Sequence, residues 1–189
     1  NNANALAASA VGYNNTAGGV GSSTIGYNNT ATNENASAFG YGNTAGGLAS
    51  SAFGFSNTAS GDNANAFGYN NIASGSKSNV FGTGNTVSGS SSNAVGTANE
   101  VAAENSTAIG NNNTISSGAE NSAALGNNIS ISLKDSVALG NNSTATAINS
   151  VTGNSSYTKW AGVSDVVGVV SVGSSGATRQ IQNVAAGQV

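Results

Sequence analysis

Cysteine, proline, methionine and histidine are all absent from this 189-residue chain. Without cysteine there is no disulfide framework to read, and such a chain suits export in an unfolded state. Without histidine or cysteine, the common acid–base and nucleophilic constellations of enzymes are missing. Charge is scarce as well. Only 6% of residues are charged, against about 25% in an ordinary soluble domain. The four cations, Lys77, Lys134, Lys159 and Arg179, are scattered, and the net charge is −3. No basic stripe exists to neutralise phosphates, which excludes a nucleic-acid partner. No apolar run approaches the roughly 18 residues of a membrane span, so no membrane contact is expected of this fragment. The opening NNANALAASA has neither a charged start nor an apolar signal core, and the chain is expected to be a mature fragment of something longer. Low net charge argues against generic disorder, and modest hydrophobicity argues against a bulky globular core. What remains is a regular backbone with small side chains inside and short polar ones outside.

The order in the chain is a repeat. Glycines stand at Gly12, Gly26, Gly40, Gly54, Gly68, Gly82, Gly96 and Gly110, each 14 residues after the last. After one 16-residue step the series resumes at Gly126 and Gly140. A large apolar residue precedes each glycine: Val11, Ile25, Phe39, Phe53, Phe67, Phe81, Val95, Ile109, Leu125 and Leu139. Alanine usually precedes that, with Thr24 and Val80 as exceptions. Three residues after the glycine, from Asn15 to Asn113, comes asparagine, usually followed by Thr or Ser and then Ala, Val or Ile. Fourteen residues is too short for a helical repeat or a propeller blade and suits one turn of a β-solenoid: two strands of about five residues and two tight turns. SAFG and NTAG alternate polar and apolar side chains at period two. The Asn–Thr pairs and the Gly18–Gly19 and Gly46–Gly47 pairs carry turn chemistry. The column glycine is expected at a corner, where a positive φ or a close backbone approach excludes a Cβ. At about 4.8 Å per coil, ten coils span on the order of 45–50 Å. The alanine columns suit a narrow interior that buries little area. The large apolar column either fills the roll or faces outward and demands a partner; the thin coil favours an oligomer.

SAFG, STAIG and SVALG, each followed by a polar turn and then Thr-Ala or Ser-x-Ala, resemble the head repeats of YadA-like trimeric autotransporter adhesins. VSVGSSGATRQIQNVAAG, from Val170 to Gly187, resembles their neck, with SVG at 171–173, RQI at 179–181 and NVAAG at 183–187. The resemblance implies an all-β fold: a left-handed parallel β-roll of 14-residue coils, homotrimeric, ending in a neck. It divides the chain into a head at 1–147, an extended junction at 148–169 and a neck at 170–189. A coiled-coil stalk and an outer-membrane anchor would lie further on, outside this chain. The implied place is the bacterial cell surface. The implied function is multivalent attachment to matrix proteins, host or bacterial cells, or abiotic surfaces.

Several residues stand out as candidates. Tyr13, Tyr27, Tyr41, Phe55 and Tyr69 directly follow column glycines and form either an adhesive strip or a ladder that stabilises its own sheet. Arg179 sits among small and apolar residues. A paired, chain-crossing role is expected for it, with a carboxylate such as Asp165, the nearest acidic residue, or backbone carbonyls as acceptor, and Arg179, Gln180, Ile181, Asn183 and Val184 are expected to lock the trimer. The carboxylates Glu34, Asp62, Glu100, Glu104, Glu120, Asp135 and Asp165 recur at no fixed repeat position. They are expected as solvated turn residues, and no catalytic pair, metal site or cofactor follows from them. The sequons at Asn14, Asn28, Asn112 and Asn128 fall out of an Asn–Thr-rich repeat, and Trp160, beside Lys159 and Tyr157, is expected as a packing plug. Two other functions compete with adhesion. One is a structural spacer with binding done elsewhere. The other is an ice-binding face on the column Thr16, Thr30, Thr44, Thr58, Thr86, Thr114 and Thr144, with the positions flanking each threonine taken as Asn and Ala.

Overall fold

The computed structural model describes residues 1–148 and 167–183. Among these residues there is no helix, and the chain winds as a parallel β-solenoid with one long and one short strand per coil. Long strands such as Ser37–Tyr41 stack into one sheet of eleven strands; short ones such as Thr44–Ala45 stack into a second of eleven. Each strand pairs in parallel with its equivalent 14 residues on, so Gly26 faces Gly40 and Thr30 faces Thr44. The expected coil of two equal strands is therefore corrected to one of five residues and one of two. The 16-residue step is absorbed without loss of register, with Thr107 facing Ala123 and Gly110 facing Gly126.

The interior is dry and narrow. Ala38, Ala52, Ala66, Ala94, Ala108, Ala124 and Ala138 of the long strands are buried. Facing them from the short strands are Ala31, Ala45, Ala59 and Ala73, then the larger Val87, Val101, Ile115 and Ile131. Because successive side chains of a strand point to opposite faces, burying alanine sends the neighbouring large residue outward.

Two residues per coil, seven apart, take the left-handed conformation and make the corners. Asn28, Asn70, Ala98 and Asn112 turn the chain after the long strand; Asn35, Asn63, Lys77 and Asn105 turn it before. The column glycine is not at a corner, as expected, but inside the long strand. Its φ is +123° at Gly68, and a Cβ there would fall on the carbonyl oxygen of Gly82 in the next coil. Close approach between coils, and not the turn, is what excludes a side chain.

The asparagine column is corrected too. Asn15, Asn29, Asn43, Asn57, Asn71, Asn85, Asn99 and Asn113 are buried inside the roll and are not turn residues. Asn43 Nδ2 donates to Asn29 Oδ1 at 3.0 Å and lies 3.0 Å from the Phe39 carbonyl and 2.7 Å from the Gly54 carbonyl. The Asn43 N–H also donates to Asn29 Oδ1, at 3.0 Å. Each amide thus stitches three coils, and the same set recurs around Asn57 and Asn71. A buried polar group is tolerated only when so satisfied. On the other side of the interior, Ser92, Ser106 and Ser122 each accept the N–H of the next coil's serine, and Ser136 accepts that of Val169.

That last bond marks the chain's return to the roll. Val170–Ser171 pair with Val137 and Ala138 as the eleventh long strand, 33 residues on. The first residues of the segment expected to be the neck therefore continue the solenoid's own ladder.

Candidate functional site

Two surfaces carry the large side chains. The first is the outer face of the long-strand sheet. Val11, Ile25, Phe81, Val95, Ile109, Leu125 and Leu139 are 37–58% exposed. Phe39, Phe53 and Phe67 between them are half-buried because they pack on one another, with centroids 4.7 Å apart edge-on for the first pair and 4.9 Å apart stacked for the second. The open question about this column is thereby answered: it lies outside the roll, over all ten coils.

Two residues along the same strand, and so on the same face, runs the second column. Tyr13, Tyr27, Tyr41, Phe55 and Tyr69 are exposed and stack face to face, with centroids 4.9–5.3 Å apart and planes within 14°. The coil spacing of a parallel sheet dictates this pitch. Each ring face is occupied by its neighbour, so the ladder offers solvent ring edges and, at four of five rungs, a phenol hydroxyl. Beyond Tyr69 the position becomes Thr83, Thr97, Asn111, Asn127 and Asn141. The apolar column runs the whole roll; the aromatic one covers only its first half.

The outer face of the short-strand sheet is flat and small. The half-buried Thr30, Thr58, Thr86, Thr114 and Thr144 each have, two residues on and on the same face, Thr32, Ser60, Ser88, Ser116 or Thr146. The expected flanking Asn and Ala lie in the interior, so this face carries paired hydroxyl ranks. Ile72 and Glu100 interrupt the first column, and Gly18, Gly46 and Ala102 the second.

The second surface is the C-terminal end of the roll. Arg179 donates through Nη1 to the Val172 carbonyl at 2.8 Å and to Ser143 Oγ at 3.2 Å, and through Nη2 to the Asn141 carbonyl. Arg179, Gln180, Ile181 and Asn183 are exposed in the single chain, Ile181 by 69%. Val184, Asp165, Trp160, Lys159 and Tyr157 lie outside the described residues. Two of the three acceptors of Arg179 come from a corner formed 36 and 38 residues earlier, and the third, Val172, lies seven residues back.

Glu100 and Glu104 are both exposed, Glu100 on the threonine column and Glu104 before the following corner. Among the described residues, no three acidic, histidine or cysteine groups gather as metal ligands. The sequon asparagines Asn14, Asn28, Asn112 and Asn128 are corner residues with positive φ, and Asn14 donates to Asn28 Oδ1 at 2.8 Å.

The comparisons agree with this geometry. A family model described as the YadA head domain repeat (2 copies) matches residues 17–43, 45–71, 88–113 and 134–151. A search of curated proteins finds no match.

Proposed function

The chain belongs to the YadA head domain family, and on that premise we propose that it is the adhesive head of a trimeric bacterial surface adhesin. The observation that carries the reading is the unbroken outward column of large apolar residues. Ten such side chains in one line form a continuous outward apolar stripe, the kind of surface that marks an interaction site. Copies of the same chain, lying side by side along one axis, would cover it at every coil. The neck at 170–189 then leads the three chains toward a stalk and an outer-membrane anchor beyond this sequence, with Gln180, Ile181, Asn183 and Val184 helping to hold them together. Three copies of each outer surface act together, so weak single contacts add to firm attachment. The targets are matrix proteins, cell surfaces or abiotic surfaces, and the ladder from Tyr13 to Tyr69 is the strip proposed to touch them.

Solid-phase binding of the chain to collagen, fibronectin, laminin, whole cells and polystyrene tests the function. Absence of binding to all five by a verified trimer would leave the structural spacer reading. Sedimentation equilibrium tests the assembly: a stable monomer of 18.1 kDa at micromolar concentration, for a chain fused to a trimeric coiled coil and then cleaved, would remove it. The hydroxyl pairs of the short-strand face, present in alternate coils such as Thr30/Thr32 and Thr58/Ser60, raise ice binding as a second reading, which a thermal-hysteresis measurement decides.

A further inference from the structure

The last coil is closed by a device that no other coil uses. Everywhere else, the N–H that opens a short strand donates to the carbonyl of the next coil's asparagine-column residue. Thr16 donates to Asn29 at 2.8 Å, Thr86 to Asn99 at 2.8 Å and Ser130 to Ser143 at 3.2 Å. Thr144 instead donates to the Gly173 carbonyl, at 2.9 Å. In the tenth coil the chain takes five residues from the strand alanine, Ala138, to this acceptor position, Ser143. In the eleventh it takes two, from Ser171, which faces Ala138, to Gly173. Three residues of corner are missing, and pairing of the eleventh long strand stops at Ser171.

Arg179 stands in that gap. The Cζ, Nε and Nη1 atoms of its guanidinium lie 3.3–3.6 Å from the point where Gly140 would carry a Cβ. In lower coils that place belongs to the next coil's glycine carbonyl, as for Gly54 beneath Gly68. The bonds match as well. An asparagine amide of the column donates to the column residue one coil earlier and to carbonyls around it. Arg179 likewise donates to Ser143, the tenth coil's column residue, and to the carbonyls of Asn141 and Val172. From Asn29 to Asn113 each amide gives an N–H to the Oδ1 or carbonyl groups around it in the same order, the previous coil's Asn Oδ1 on one side and the next coil's glycine carbonyl on the other. The amide row itself ends at Asn113, whose Oδ1 accepts the Ile129 N–H at 3.0 Å; at the end of the tenth coil the acceptors are Ser143 Oγ and the Asn141 and Val172 carbonyls, a set that a planar cation with five forked donors matches well.

We infer that Arg179 is the end cap of this solenoid and acts within its own chain. Its guanidinium replaces the amide of a coil that is not built and holds the Val172–Gly173 shortcut down on the tenth coil. Solenoids need a terminal cap because an open edge invites pairing with other chains. The cap requires no acceptor from a neighbouring chain, so it stands apart from the adhesin reading.

Hydrogen exchange by mass spectrometry on the whole chain tests it, with peptides from the first eight coils as internal control. Arg179→Ala is expected to speed exchange of the amides across 137–145 roughly tenfold or more. The first eight coils and the sedimentation mass should not change. Arg179→Lys keeps the charge but loses the fork, and should fall between wild type and Arg179→Ala. Unchanged protection across 137–145 in both variants overturns the cap. So does a fall in mass with 137–145 still protected, which would place the arginine between chains. Faster exchange in all ten coils at once also counts against it, since a cap acts first on its own end. If Arg179→Ala does not fold, Arg179→Lys is read by the same criteria.

Discussion

Replacing Asn71 by alanine isolates the buried amide column from every other feature of a coil. The Asn71 amide lies 3.0 Å from Asn57 Oδ1, 3.0 Å from the Phe67 carbonyl and 2.7 Å from the Gly82 carbonyl. Its Oδ1 accepts the N–H of Asn85 at 3.1 Å and the Asn85 amide at 3.0 Å. Not all of this is lost in the variant. Asn57 Oδ1 keeps the backbone N–H of residue 71, and the Asn85 amide keeps the Phe81 and Gly96 carbonyls. The buried Asn85 N–H and the part-buried Gly82 carbonyl each lose a side-chain partner. At about 1–3 kcal/mol for each stranded buried group, Asn71→Ala should cost roughly 2–6 kcal/mol per chain. The control is one residue away. Asn70 is an exposed corner with φ +54°, a conformation that Ala98 already adopts at the equivalent place. Asn70→Ala should cost about 1 kcal/mol. Guanidinium unfolding followed by circular dichroism, with unfolding and refolding limbs compared to establish reversibility, measures both. Equal midpoints would mean that the column is not dry, and the reasoning fails.

Three further substitutions probe the other columns. Gly68→Val drives a branched side chain into the Gly82 carbonyl at a φ of +123°, so its melting temperature should fall well below that of Asn70→Ala; equal values would remove the close-approach argument. Ser78→Ala should leave the melting temperature unchanged or raise it. Ser78 Oγ is buried without a hydrogen-bond partner, and Ala36 and Ala64 already occupy the same column. The double variant Tyr27→Phe, Tyr41→Phe keeps the stack and removes two hydroxyls; unchanged melting with weakened solid-phase binding is expected. Unchanged binding would make the ladder purely structural.

The period and the stacking of like on like were legible in the sequence because each is a column property, visible in ten copies at once. Alternation also put Ala38 and Phe39 on opposite faces, but it could not say which one is inside; the answer is that a two-strand coil is too thin to hold phenylalanine. The asparagine column was misread because Asn–Thr is equally good turn chemistry. A signal did exist in the repeat itself. The residue before it varies freely among Asn14, Gly42, Ser56 and Ala98, as a corner tolerates, whereas the column holds asparagine from Asn15 to Asn113. The VSVG of residues 170–173 could likewise have been aligned with VALG at 137–140 as the start of an eleventh coil. The place of Arg179 could not, because its acceptors, two backbone carbonyls and Ser143 Oγ, come together only where that coil is cut short.

The single-step register has a consequence for the history of such a chain. Every long strand touches only the strands one coil below and above, so removing any 14 consecutive residues between Asn15 and Asn113 brings like against like at the new joint. Glycine still meets glycine and asparagine still meets asparagine. Reach can therefore be lengthened or shortened in quanta of about 4.8 Å by duplication or deletion of whole coils, with no compensating change elsewhere. A gain or loss of any other length must be looped out, as residues 116–121 do in the one 16-residue coil. Recombination between neighbouring repeats, ordinarily ruinous to a packed core, is for this architecture close to a neutral move.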